Sequence, residues 1–262
     1  MNDFAKAADK AGETLENIGE KAEALVERAT EGIAEEVVQQ NKITYALWAL
    51  LVGIIVWGLF EGLWRAAFVA GLTLILTLLP LMFQRMADFR LPRLLISIIV
   101  AFAVGTLVLG EVFDFYEEFW WWDIAMHTGS AMMFGVFGVI LIMLIFDNAS
   151  IKASPKMVAF LAMCFAIAVG AIWEIFEFGM DQFFGLNMQK SGLVDTMWDL
   201  IVDTLGAIIG AAAGYVYLRH GKKGVLSRMI AETVSKNDAK FDGKPSHKNP
   251  SGETLSDKGL PT

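Results

Sequence analysis

Seven ionisable side chains recur at helical spacing within or beside apolar segments in the second half of the sequence. Asp123 and His127 are four residues apart, and Glu174 and Glu177 are three apart, so each pair would share one face of a helix. Three more carboxylates follow at four-residue intervals: Asp195, Asp199 and Asp203. If their helices lie side by side, the spacing predicts one polar pocket among three helices.

These residue types are suited to holding a cation. Several carboxylates in apolar surroundings cannot all stay ionised unless protons or a metal ion neutralise them, because like charges repel strongly at low dielectric constant. One imidazole among carboxylates suits Zn²⁺, Mn²⁺ or Fe²⁺ better than Mg²⁺. We therefore predict a divalent metal with these ligands: Asp123, His127, Asp199 and Asp203. Glu174 and Glu177 are the predicted catalytic residues, one of them free to act as general base.

Each position also has a structural interpretation. Asp123 and Asp195 would be N-cap residues that accept backbone N–H bonds at a helix start. His127 would be a core histidine bonded to one neighbour, and Asp199 with Asp203 would belong to a buried hydrogen-bond network. The acidic residues that precede Asp123 are assigned to a wet interfacial helix outside the site: Glu111, Asp114, Glu117 and Glu118.

The elements that must position these residues are membrane helices. The chain of 262 residues is 55% hydrophobic and 19% charged, and its mean hydropathy of +0.51 is too high for a soluble domain. A hydrocarbon core of about 30 Å needs roughly 20 apolar residues in helical form. Six segments fit: about 43–60, 66–84, 94–110, 124–146, 157–178 and 197–218. The predicted fold class is an all-α polytopic membrane helix bundle with six spanning helices.

Basic residues are distributed unequally between the two ends of these segments. One end has only Arg65 and Lys190. The other has nine: Arg85, Arg90, Arg93, Lys152, Lys156, Arg219, Lys222, Lys223 and Arg228. Because Lys and Arg accumulate on the cytoplasmic side, we predict a multi-pass protein of the bacterial inner membrane with both termini in the cytoplasm. The pocket then opens outward, with its residues within about two turns of the outer helix ends and Trp120 to Trp122 at the outer interface.

Small residues in the last two segments bear on helix packing. Gly206, Gly210 and Gly214 recur every four residues, a spacing that lets membrane helices approach closely enough to close the pocket.

Cys164 is the single cysteine and lies inside the fifth segment, where we interpret it as a buried thiol.

The chain divides into three parts. Residues 1 to 41 are rich in acidic residues and carry a heptad seam that is half alanine; we predict an amphipathic cytoplasmic helix, with self-association as a coiled coil as one role and a solvated helix as the other. Residues 42 to 219 form the transmembrane domain, in contact with the lipid bilayer. Residues 220 to 262 are predicted to be a polar, disordered tail. The net charge of −8 argues against nucleic acid as a partner.

Three sequence blocks resemble a known family. The blocks are WDIAMHTGSAMMFG (122–135), WEIFEF (173–178) and DTMWDLIVDTLGAIIGA (195–211). They resemble the YjdF-type bacterial inner-membrane proteins and, more distantly, VanZ-like proteins. The resemblance implies a compact multi-helix membrane protein with motifs of the type D-x-x-x-H, E-x-x-E and D-x-x-x-D; it implies no reaction. VanZ-like proteins more often have glutamine where Glu177 stands.

Three functions from different classes follow from the pocket. The first is a metal-dependent hydrolase that acts on a lipid or envelope-derived substrate at the outer leaflet. The second is an ion-coupled or proton-coupled transporter, which is disfavoured by carboxylates near one face rather than at mid-depth. The third is a structural or partner-binding membrane protein whose polar cluster locks three helices together.

The topology can be tested by labelling single cysteines in a Cys164→Ser background. A cysteine at position 190 should react with a membrane-impermeant maleimide in intact cells, and one at 152 only after permeabilisation, because the nine-to-two bias places 152 inside. The opposite labelling pattern would place the polar cluster on the cytoplasmic side.

Overall fold

The structure is a computed structural model that describes residues 36–148, 153–185, 187–221 and 224–241. Within these ranges all regular elements are helices. Six of them are long and apolar enough to cross a membrane: α1 Lys42–Phe60, α2 Trp64–Ala87, α3 Arg93–Val112, α4 Trp122–Asn148, α5 Pro155–Phe184 and α6 Leu193–His220. The prediction of an all-α bundle with six spans is confirmed. The predicted helix and coiled coil of residues 1 to 41 lie, up to residue 35, outside the described residues.

Local sequence signals set the ends of several spans. The Asn41 side chain accepts the backbone N–H groups of Ile43 and Thr44, both at 3.0 Å, and so caps α1. Ser154 caps α5 in the same way, and Pro155 occupies the first helical position, where its missing N–H costs nothing.

The six spans form two groups of three. α4, α5 and α6 pack against one another, and α1, α2 and α3 form the second group. The groups meet where the last part of α3, a π-helix from Val104 to Val112, approaches the start of α4. A Cβ atom added to Gly105 of α3 would lie 3.3 Å from the Met126 sulfur of α4. The first group therefore supports α4 from one side and leaves its contacts with α5 and α6 unobstructed.

Polar side chains in the first group are paired. Thr44 of α1 and Ser97 of α3 share a buried hydrogen bond of 2.9 Å. The indole N–H of Trp48 donates to the Thr77 hydroxyl of α2, also at 2.9 Å. Such bonds satisfy groups that would otherwise be costly in an apolar interior.

Glycines bring α6 close to α4. A Cβ at Gly206 or Gly210 would overlap the backbone carbonyl oxygen of Thr128 or Met132, and one at Gly214 would overlap the Val139 side chain. The close helix contact predicted from the four-residue spacing is confirmed. Only hydrogen atoms fit at these positions, so the two backbones are in direct contact and the register between α4 and α6 is fixed.

Part of the tail that we predicted to be disordered is helical. Helix α7, Val225–Lys236, follows α6, and its residues Met229 and Ile230 are 2% and 0% exposed. Asn237 accepts the N–H of Arg90 at 2.7 Å and donates to the Arg90 carbonyl oxygen at 2.8 Å. The prediction was wrong for residues 224 to 241 because the average composition of the tail hid a short amphipathic stretch. Residues 242 to 262 lie outside the described residues.

Cys164 is exposed on the surface of the bundle, so the interpretation as a buried thiol was wrong. In a membrane helix an apolar sequence does not distinguish the lipid-facing side from the core, because both environments are apolar.

Gly210→Ala should lower the free energy of unfolding by about 1–3 kcal/mol, because the added methyl group has no room between α6 and α4. Thermal unfolding of the purified protein measures the change. Gly129→Ala is the matched control, since a Cβ at that helical position meets no atom within 4 Å. Equal melting temperatures for the two variants would contradict the close contact.

Candidate functional site

Three helices bring all six predicted site residues to one region of the bundle. Asp123 and His127 lie on α4, and their side chains are 35% and 11% exposed. The remaining four residues are 8% exposed or less: Glu174 and Glu177 on α5, and Asp199 and Asp203 on α6. We call the end of the bundle that carries the loops 61–63, 113–121 and 185–192 the acidic end; the site lies toward this end.

His127 is the centre of the cluster. Its Nε2 atom lies 3.7 Å from an Asp123 oxygen and 3.9 Å from an Asp199 oxygen. On the other side of the ring, Nδ1 lies 3.3 Å from Asp203 Oδ1. This contact is within hydrogen-bond distance but poorly aligned, and Asp203 Oδ1 is buried with no other hydrogen-bond partner in the described residues. One imidazole therefore faces carboxylates from both of its nitrogen atoms.

Three of the four predicted metal ligands are close enough to share one ion. Asp123, His127 and Asp199 each offer a ligand atom, and these atoms lie within 4.8 Å of one another. Asp203 is not part of this group, because it faces Nδ1 rather than Nε2. Oxygen and imidazole ligands bind Zn²⁺ and Mn²⁺ at about 2.0–2.2 Å, so small side-chain movements would complete such a site.

The two glutamates on α5 differ in their surroundings. Both carboxylate oxygens of Glu174 are buried. The Thr196 side chain of α6 lies within their hydrogen-bonding reach, but neither oxygen makes a well-aligned hydrogen bond in the described part of the chain. Glu177 Oε1 accepts the indole N–H of Trp173 at 2.9 Å. Glu174 therefore keeps more of its capacity to accept protons or to bind a cation than Glu177, which accepts a direct hydrogen bond from Trp173.

The prediction that the pocket residues lie within about two turns of their helix ends holds for His127, Glu177 and Asp199, but it is wrong for Glu174 and Asp203. α5 continues to Phe184 and α6 already begins at Leu193, so both helices extend beyond the apolar segments recognised in the sequence. Glu174 and Asp203 are each ten residues from these ends, about 15 Å at 1.5 Å per residue. That is nearly three turns rather than two. Polar residues in the final turns, such as Asp181, had concealed the true helix ends.

Gly170 makes room for the Asp203 carboxylate. A Cβ atom at Gly170 of α5 would overlap Asp203 Oδ2 of α6. Glu174 lies four residues further along α5 and shares this face. The missing side chain thus determines where the Asp203 carboxylate lies between His127 and α5.

The N-cap interpretation of Asp123 and Asp195 was wrong. Asp123 is the second residue of α4, and the N-cap of α6 is Gly192. Asp195 instead accepts the backbone N–H of Lys190 at 3.1 Å. Asp195 therefore holds the loop between α5 and α6 rather than joining the ligand group.

Tyr116 was missed in the sequence. It belongs to the short helix Phe115–Glu118. The two acidic side chains of this helix, Glu117 and Glu118, are exposed as predicted. Lys190 Nζ lies 5.0 Å from the Tyr116 ring centroid and 2.9 Å from Glu117 Oε1. Burial raises the pKa of the Tyr116 hydroxyl, and the charges of Asp123 and others nearby raise it further.

Its neutral phenol remains a hydrogen-bond donor beside the carboxylates at neutral pH. No spacing could connect Tyr116 to the site, because it lies on a separate helix.

Fold and site together define a six-span helical membrane protein with a buried histidine and carboxylate cluster. Residues 43–220 match the family described as predicted membrane protein (DUF2238), and the chain belongs to that family. An uncharacterized protein of Thermotoga maritima is 32% identical over 113 residues, which are 41% of this chain and 55% of that protein. The chain thus spans about half the length of this relative. No solved structure matches the chain.

Removing the imidazole should leave buried carboxylates without a compensating charge. We expect His127→Ala to lower the free energy of unfolding by about 3–5 kcal/mol, and Asp203→Asn in the same chain to recover part of that loss. Thermal unfolding of the single and double variants measures the coupling. Asp181→Asn is the control, since Asp181 accepts the backbone N–H groups of Met188 and Gln189; its effect should simply add. Additive effects for Asp203 as well would contradict a direct interaction with His127.

Proposed function

We propose that this protein binds a divalent transition metal and uses it to hydrolyse a lipid or envelope-derived substrate at the outer leaflet. The observation that carries the proposal is a buried Glu174 carboxylate on α5 that makes no well-aligned hydrogen bond in the described residues, facing the same three-helix interior as a ligand group on α4 and α6. An unpaired buried carboxylate costs free energy unless a cation or proton compensates it. A catalytic site is a setting in which that cost is retained.

In this proposal His127 Nε2, Asp123 and Asp199 are the metal ligands. Asp203 then accepts the Nδ1–H of the same imidazole, which fixes the ring orientation and increases the basicity of Nε2. The contact of 3.3 Å between Nδ1 and Asp203 Oδ1 supports this division of roles. Asp203 becomes a positioning residue rather than the fourth ligand expected from the sequence.

Glu174 is the proposed general base. A bound divalent cation supplies Lewis acidity toward water and toward the substrate oxygen. Glu174 takes a proton from the attacking water, the new bond to phosphorus or to a carbonyl carbon forms, and the bond to the leaving oxygen breaks. That oxygen leaves as an alcohol after receiving the proton. Glu177 is less suited to this role, because Trp173 already donates to it.

The substrate assignment rests on the location of the site. Asp123 is the most exposed of the cluster residues, and it lies at the beginning of α4 next to three tryptophans. With basic residues concentrated at the other end, the positive-inside rule directs this opening outward. Amphiphilic molecules at the outer interface would therefore reach Asp123 first.

A second candidate function is ion-coupled transport. The depth of about 15 Å for Glu174 and Asp203 weakens the earlier argument that the carboxylates lie near one face. Carboxylates in the interior of spans are typical of proton and cation pathways. A purely structural cluster explains the structure less well, since neither Glu174 oxygen makes a well-aligned hydrogen bond in the described residues.

The test is metal-dependent thermal stability of the purified protein. Saturating Mn²⁺ or Zn²⁺ should raise the melting temperature of the wild type, equivalent to about 2.7 kcal/mol at a hundredfold excess over Kd. His127→Ala should abolish the rise. Asp203→Asn should weaken metal affinity by about 10–100-fold, as expected for a positioning residue.

Two glycine variants provide a matched comparison that leaves all ligand atoms in place. Gly170→Ala should weaken metal affinity by displacing the Asp203 carboxylate, whereas Gly179→Ala on the same helix meets no atom within 4 Å and should not. If the wild-type protein shows no saturable metal effect but carries a proton-linked flux in liposomes, the result would reject the hydrolase and support the transporter.

A further inference from the structure

Four aromatic rings form a closed series of contacts next to the candidate metal site. Ring centroids of Phe115 and Phe119 are 4.9 Å apart, and those of Phe119 and Trp121 are 5.9 Å apart. Trp121 and Trp122 are separated by 5.4 Å, and Trp122 returns to Phe115 at 5.0 Å. At these separations neighbouring rings are in direct contact, so a cation would approach the group over its exposed rings, Phe119 and Trp121, within about 6 Å, the range of cation–π attraction.

The rings are open to the outside on one side only. Trp121 is 44% exposed and Phe119 is 36% exposed, while Phe115 and Trp122 are half-buried. Neighbouring planes are inclined by 44° to 80°, so the rings do not stack as a flat pile. We call these four residues the aromatic cluster.

Acidic residues surround the aromatic cluster along the chain. Glu117 and Glu118 lie between Phe115 and Phe119, and Asp123 directly follows Trp122. In the described part of the acidic end the basic side chains are Arg65 and Lys190, and both already contact carboxylates. This distribution attracts a cationic group and repels a ligand that is only anionic.

One hydrogen-bond donor in the aromatic cluster is unused. The Trp122 indole nitrogen is buried and has no acceptor in the described residues. A buried N–H without an acceptor is costly and is available to a phosphate or ester oxygen. Trp122 directly precedes Asp123 at the start of α4, so the two residues lie at the same end of the helix but on different faces.

We propose that the aromatic cluster binds the zwitterionic headgroup of an ammonium-bearing phospholipid, with the ammonium over the exposed rings of Phe119 and Trp121 and the phosphate at the Trp122 N–H. Exposed apolar residues continue the surface on either side, with Trp120 at 81% and Ile124 at 36%, so acyl chains can lie against the helix. As a binding site, the headgroup site does not depend on the proposed function. As a substrate site it rests on the proposed function, with this lipid class as the substrate.

Competition between two lipids of identical acyl chains tests the proposal. The full chain is purified in detergent, and binding of phosphatidylethanolamine and phosphatidylglycerol is compared by native mass spectrometry. We expect about a tenfold preference for phosphatidylethanolamine in the wild type. Phe119→Leu and Phe115→Leu should reduce it toward parity, whereas Trp120→Leu, outside the aromatic cluster, should keep it. Trp122→Phe retains the ring and should weaken both lipids without changing their ratio.

The same preparations are tested for Mn²⁺ binding by thermal shift, which should be unchanged in the Phe119→Leu and Trp120→Leu variants. Lipid preference without metal binding would reject the proposed function and keep the headgroup site. Metal binding without lipid preference would reject the headgroup site and keep the proposed function. Equal binding of the two lipids by the wild type, or equal losses in Trp120→Leu and Phe119→Leu, would overturn the headgroup site. Competition by free ethanolamine that is as strong as competition by glycerophosphoethanolamine would also overturn the headgroup site.

Discussion

The need to compensate buried negative charge is the constraint on which the second half of this molecule depends. Four carboxylates on α5 and α6 are at most 8% exposed. The His127 imidazole lies near two aspartates of α6. Its Nε2 atom also lies near Asp123 of its own helix. Ionised groups inside a span cost several kcal/mol each unless they are paired. The arrangement is therefore stable only if protons, the imidazole or a bound cation share the charge.

Helix packing converts that requirement into a defined geometry. The glycines of α6 hold its backbone against α4, so that His127 faces Asp199 and Asp203 at fixed depth. Gly170 does the same for α5 by leaving space for the Asp203 carboxylate. The first three spans contain satisfied polar pairs such as Trp48 with Thr77. The contrast with Glu174, whose oxygens make no well-aligned hydrogen bond in the described residues, is what separates the site from ordinary polar contacts between membrane helices.

Much of this arrangement could be predicted from sequence, because lipid imposes strong rules. Span number follows from helix length and apolarity, and the shared faces of Asp123 with His127 and of Asp199 with Asp203 follow from helical period. The helix ends could not be predicted from the sequence, because α5 continues through polar residues to Phe184 and α6 already begins at Leu193. Side-chain roles could not be read either: Asp203 faces Nδ1 and Asp123 faces Nε2, a distinction that depends on ring orientation.

Residues on separate short elements were likewise beyond the reach of spacing. Tyr116 and the aromatic cluster reach the site through the helix Phe115–Glu118 and the turn into α4, whose placement depends on tertiary contacts. The central claim is that His127 and carboxylates bind one divalent cation. X-ray absorption spectroscopy of the purified, Mn²⁺-loaded or Zn²⁺-loaded protein tests it most directly: one ion per chain with a single imidazole and otherwise oxygen ligands is the predicted result. A spectrum without imidazole, or one unchanged in His127→Ala, would contradict it.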